Sequence, residues 1–203
     1  MQEFTADPIE GEMSYEEKNA ALDAVICPLP NPRYTIDAPF RYIEHMLNGY
    51  DKDWGGLNLD PDFQRGHVWT PEQRVAFMEG IFRGTVGDSQ RIIQFNAPHW
   101  DNHHGGDLPN ELQIVDGLQR LTTVRMFMAG EFAIFGGLKA CDLDGSRYAV
   151  NRPNYRLQFA IHNFANRADL LRYYLAINSG GTPHSTSEIE RVKGLLAAAT
   201  KVV

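Results

Sequence analysis

The chain has 203 residues, with 43% apolar and 22% charged side chains, which suits one globular domain with room for a terminal extension. The formal net charge is −7, and residues 1–30 carry seven of the acids against one base, Lys18; the remainder is close to neutral. No whole-molecule field gathers nucleic acid, no apolar run spans a membrane, and the acidic start is no signal peptide. A cytoplasmic protein without membrane contact is expected. Cys27 and Cys141 lack metal-ligand spacing, so buried or incidental thiols are the expectation.

In chain order, Ser14 and Glu17 form a capping box that opens a short helix to about Val25. Pro28, Pro30 and Pro32 then enforce an extended connector. Residues 1–33 are thus read as an acidic extension and 34–203 as the domain proper. Asp37 is expected to cap a second helix with Phe40, Ile43 and Leu47 on one face and Gly49 at its end; residues 50–62 read as loop. Thr70-Pro71-Glu72-Gln73 is a capping box with proline in the first turn. It starts a helix whose apolar face is Val75, Met78, Ile81 and Phe82, closed by Gly84.

Residues 91–95 read as a strand, 97–110 as a polar loop and 111–115 as a second strand. Asp116-Gly117 breaks that strand, and a helix over 118–129 follows, with Leu121, Val124 and Met128 at helical spacing. Tyr155, Leu157, Phe159 and Ile161 alternate as a half-buried strand does. A helix near 168–177 follows, then Asn178 to Pro183 as a break, then a last helix opened by Ser185 and Glu188. Strands and helices mix, so the class is α+β.

Three segments could carry chemistry. At Asp116-Gly117-Leu118-Gln119-Arg120 a strand turns directly into a helix, whose free N–H groups and positive dipole end suit an anion. Arg120 offers a guanidinium fork to a phosphate, and Asp116 a carboxylate for magnesium or a proton. The plainer alternative makes Asp116 a helix cap and Gly117 a turn. Gln64 and Arg65 precede the strongest helix start, either as a site wall or within a packed loop. Asn178 to His184, with Gly181 and Thr182, either lets a ligand approach the backbone or joins two helices. His99, Asp101, His103, His104 and Asp107 share a Gly/Asn-rich stretch with no rigid scaffold, so no structural zinc is expected there.

Together, Pro61–Trp69, Ile114–Thr123 and Asn178–Ser185 resemble the ParB-like domain of unknown function 262, found in GmrSD-type and SspE-type restriction proteins. The pieces stand in the family's order over roughly residues 35–195, and aspartate-glycine-x-glutamine-arginine is its most specific signature. The resemblance implies a ParB/sulfiredoxin-like fold, a small mixed sheet with flanking helices. It also implies binding of a nucleoside triphosphate with Mg²⁺, and hydrolysis or phosphoryl transfer linked to DNA modification or restriction. Asp116, Gln119 and Arg120 would then be catalytic, with Asp116 holding the metal. Gln64, Arg65, Gly117, Asn178, Gly181 and Thr182 would bind nucleotide. DNA and a separate nuclease or modification enzyme are the further partners it implies.

Leu118 departs from the family's usual glutamine. The sequence ends at Val203 with no room for the downstream histidine-containing nuclease domain of restriction members, so a stand-alone copy that does not cut DNA unaided is expected. The competing expectation is a nucleotide- or DNA-sensing module that works with a partner and turns nothing over.

Overall fold

A computed structural model describes residues 13–64, 66, 68–100, 105–179 and 186–200. The chain divides into two compact units, Met1–Asn31 and Pro32–Val203.

The first unit holds helix α1 (Tyr15–Ile26). Its capping box forms in full: Glu17 N donates to Ser14 Oγ at 3.2 Å and Ser14 N to Glu17 Oε2 at 2.9 Å. These bonds hold the Glu17 carboxyl below the usual carboxylate range. Cys27 ends the helix in the left-handed region at φ 48°.

The second unit contains β1 (Tyr34–Pro39), α2 (Ile43–Asp53), β2 (Leu57–Asn58), α3 (Pro71–Arg83), β3 (Ile92–Asn96), β4 (Leu112–Asp116), α4 (Leu118–Met128), β5 (Arg156–His162), α5 (Arg167–Ser179) and α6 (Thr186–Ala199). The strands form one mixed sheet in the order β1-β5-β3-β4-β2. β1 runs antiparallel to β5 and β3 antiparallel to β4, while β3 is parallel to β5 and β2 to β4. The class is α+β, a small mixed sheet flanked by helices.

Alternation along the strands sorts side chains to two faces. Ile93, Phe95, Leu112, Ile114, Leu157, Phe159 and Ile161 pack with Ile43 and Leu47 of α2, Met78 and Ile81 of α3, and Leu121, Val124 and Phe127 of α4. On the other face Val115 joins Leu170, Leu171, Tyr173 and Tyr174 of α5 and Val192 of α6. That face also buries the polar side chains Asn96, Gln113 and His162.

The capping box at Thr70 forms as expected, and Gly84 closes α3 in the left-handed region at φ 76°. Two expectations near the start of the second unit are corrected. Asp37 caps no helix; it lies within β1, paired with Gln158. Gly49 does not end α2, which continues to Asp53 with Trp54 as its C-cap. Residues 50–62 therefore hold the last turn of α2 and the short β2. The cause is tertiary: Tyr50 packs on the core with its ring 6.3 Å from that of Phe159, so extending the helix buries an aromatic. Cys27 and Cys141 are free and exposed.

Candidate functional site at the junction of β4 and α4

β4 ends at Asp116, Gly117 turns the chain, and α4 begins at Leu118. Gly117 has φ +94°, and a Cβ there would stand 2.7 Å from Ile93 Cδ1 and 3.2 Å from both Ile92 O and Arg120 Nη2. Both the backbone conformation and the space select glycine. No side chain caps the start of α4. Asp116 is thus not a helix cap. Its carboxylate pairs with Arg120 Nη2 one turn on, with side-chain exposures of 37% and 18%. Arg120 Nη1 also reaches Gln90 O at 3.4 Å.

The register between β3 and β4 shifts here. Gln94 pairs with Asp116, but Phe95 pairs with Ile114 and Asn96 with Gln113, so Val115 is an extra residue. Strict alternation would send Asp116 to the apolar face with Leu112 and Ile114. The bulge turns it to the face of its cross-strand partner Gln94, toward α5. Gln64 serves the same irregularity, because its Nε2 donates to Val115 O at 2.8 Å.

Gln119 holds the segment that leads into α3. Its Oε1 accepts from Val68 N at 3.1 Å and Trp69 N at 3.2 Å, and its Nε2 donates to Gly66 O at 3.0 Å. Both ends of the amide are engaged. Two arginines that sequence reading missed clamp the same segment. Arg191 of α6 pairs with Glu188 at 2.5 Å, donates to Asp62 O, and reaches Phe63 O at 3.0 Å and Gln64 O at 3.2 Å. The hydrogen bond to Glu188 raises its pKa further. Arg167 grips Asp62 with two bonds, 2.8 and 2.6 Å, and its backbone N–H donates to Asp107 Oδ1 at 2.6 Å. Their contacts with residues 62–64 span more than a hundred positions, so no local signal announces them.

The structure therefore brings Asp116, Gly117, Gln119, Arg120 and Gln64 together. Asn178 stands in the last turn of α5, where its Nδ2 donates to Tyr174 O at 2.7 Å. It borders a cavity of about 270 Å³ whose lining comes from α5 and α6 alone, with Glu188 and Lys193 opposite. Arg65, Gly181 and Thr182 lie outside the described residues, as do Asp101, His103 and His104. Among the described residues, no group of three or more His, Cys, Asp or Glu side chains could hold a metal ion.

A second set of residues missed from sequence lies under the junction on the α5 side. Tyr173 Oη donates to Gln94 Oε1 at 2.5 Å, and His162 Nε2 lies 3.1 Å from each of those two oxygens. His162 is 2% exposed and Tyr173 6%. Burial pushes the His162 pKa from 6.5 down to about 4. Burial and then the charge of Asp116 raise that of Tyr173, which places the carboxylate within electrostatic reach of the phenol.

The class of protein is a mixed α+β domain in which an aspartate and an arginine are gathered at a strand-to-helix turn. The chain matches the model of the GmrSD restriction endonuclease N-terminal domain over residues 43–166, more than half its length, and it belongs to that family. The match runs from the start of α2 to just before α5 and includes the whole β4–α4 junction. Membership places the chain in restriction and phage-defence biology. No curated protein and no solved structure matches the chain. Among the described residues no helix is long and apolar enough to cross a membrane.

Proposed function

We propose that the chain binds a nucleoside triphosphate with Mg²⁺ at the β4–α4 junction and cleaves or transfers its terminal phosphoryl group. The observation that carries this is the junction itself. A glycine without room for a Cβ sets an uncapped helix start beside a carboxylate and a guanidinium. Asp116 and Arg120 neutralise each other in the structure, so neither invites an ion of one sign alone. A magnesium–phosphate pair offers both signs at once. Asp116 would hold the cation, and Arg120, released from it, would present its fork to the phosphate oxygens.

One carboxylate is a fitting protein share for magnesium, which is commonly held by one or two carboxylates together with substrate phosphates. Bound there, the ion would offset charge on the phosphate oxygens. The helix N–H groups and Arg120 stabilise the same charge as it develops. In hydrolysis a water oxygen bonds to the terminal phosphorus, the bridging P–O bond breaks, and a nucleoside diphosphate, phosphate and a proton leave. In transfer an acceptor hydroxyl replaces the water. Gln64 and Gln119 serve by fastening Gly66, Val68 and Trp69 and the end of β4 at the junction. DNA and a separate nuclease or modification enzyme are the partners this reading supplies, on the strength of the restriction family.

The test incubates purified protein with ATP or GTP and Mg²⁺ and measures released phosphate and melting temperature. A ligand at about 100 times its Kd adds about 2.7 kcal/mol of stability. Turnover that disappears in Asp116→Ala supports the enzyme. Tight binding without turnover supports a sensing module. A chain that neither shifts in melting nor releases phosphate with either nucleotide sinks the reading.

A further inference from the structure

The sheet face toward α5 holds a polar network that the chemistry above leaves unused. Gln94 Oε1 can only accept, and it stands 2.5 Å from Tyr173 Oη and 3.1 Å from His162 Nε2. Both neighbours therefore donate to it, which puts a proton on His162 Nε2. Burial keeps the imidazole neutral, so the ring is the Nε2–H tautomer. The charged group acting on this network from the neighbouring strand is Asp116. Polar groups buried at this depth are costly unless satisfied, and the opposite face shows that this sheet packs well on apolar side chains alone. The network sits where the β3–β4 register breaks, and its central acceptor belongs to the residue paired with Asp116.

We propose that Gln94, Tyr173 and His162 are positioning residues for Asp116, a rigid neutral block that fixes the Gln94–Asp116 pair at the bulge and so aims the carboxylate. Tyr173 removes the rotational freedom of the Gln94 amide from one side and His162 from another. Neither touches the ligand. The proposal deepens the nucleotide reading in its affinity consequence, but the geometry it asserts stands without any ligand.

The experiment uses the full chain and two independent readouts. The first is the carboxyl carbon resonance of Asp116, assigned by its loss in Asp116→Asn. The second is affinity for MgATP and MgGTP. Tyr173→Phe and His162→Leu break the network from opposite ends, so either decides if the other fails to fold. Each is expected to move the Asp116 resonance and weaken nucleotide binding about tenfold, the lower end for losing a group that orients a metal ligand. His162→Gln keeps a donor at the Nε2 position and is expected to restore both readouts toward wild type, which a generic packing role would not produce. An Asp116 resonance left unmoved by Tyr173→Phe and His162→Leu overturns the proposal. A wild type that binds neither nucleotide defeats the proposed function instead, and the resonance then decides the positioning role by itself.

Discussion

The two faces of the sheet are built on different terms. Toward α2, α3 and α4 the strands present Ile93, Phe95, Leu112, Ile114, Leu157, Phe159 and Ile161, and the layer is apolar throughout. Toward α5 the same strands present Gln94, Asn96, Gln113 and His162. There Asn96 exchanges two hydrogen bonds with the backbone of Phe164, at 3.0 and 2.7 Å, Gln113 Nε2 donates to Glu111 Oε1 at 2.8 Å, and His162 rests on Gln94 and Tyr173. An apolar layer needs only volume and pattern, whereas a buried polar layer needs geometry. The first face supplies stability, and the second supplies the directional order beside which Asp116 and Arg120 stand.

The largest expected effect lies on the apolar face. Phe127 is fully buried, with its ring 5.8 Å from that of Phe82 and 5.7 Å from that of Phe132. Phe127→Ala is expected to cost about 3–5 kcal/mol in urea unfolding, a large share of a typical domain's stability. A cost below about 1 kcal/mol would mean that the face tolerates voids and that the contrast drawn above is wrong.

The next effect belongs to the polar face and depends on pH. His162 titrates near 4 when folded and near 6.5 when unfolded, so between those values the unfolded chain binds more protons. Stability is therefore full above about pH 6.5 and falls as pH drops toward 4. The loss attributable to this group is on the order of 3 kcal/mol. His162→Gln should flatten that part of the stability–pH curve. An equally steep curve in the variant would assign the loss to other groups.

Gly117→Ala comes third. The alanine must hold φ near +94° with its Cβ 2.7 Å from Ile93 Cδ1. About 1–2 kcal/mol of backbone strain is expected, with further cost from displacing Ile93. Equal stability of wild type and variant in denaturant titration would show that the turn relaxes and that space does not select glycine.

The smallest effect on folding is expected at Arg120. It pairs with Asp116 at partial exposure. Arg120→Met should therefore lower stability by about 1 kcal/mol or less. Nucleotide affinity should fall by about 1.5–3 kcal/mol, with Arg120→Lys rescuing poorly because it lacks the fork. Affinity that survives in Arg120→Met, measured by titration calorimetry, would make the arginine a structural partner of Asp116 and nothing more.

The sequence by itself determined what is decided within a few residues. The capping boxes at Ser14 and Thr70, the stop at Gly84, and the strand–glycine–helix order at Asp116 to Leu118 all rest on bonds or clashes between near neighbours, and each stands in the structure. Tertiary structure decided what depends on distant partners. Asp37 entered a strand because β5 was there to pair with it, and α2 passed Gly49 because Tyr50 had a core to enter. Asp116 shares sequence parity with Leu112 and Ile114, and only the slipped register with β3 turned it to the other face. The Gln94–Tyr173–His162 network and the clamp of Arg191 on residues 62–64 join positions from eleven to more than a hundred apart. Hydrophobic periodicity records which side of an element is buried, but not which buried polar groups will meet, because that choice is made only when the elements pack.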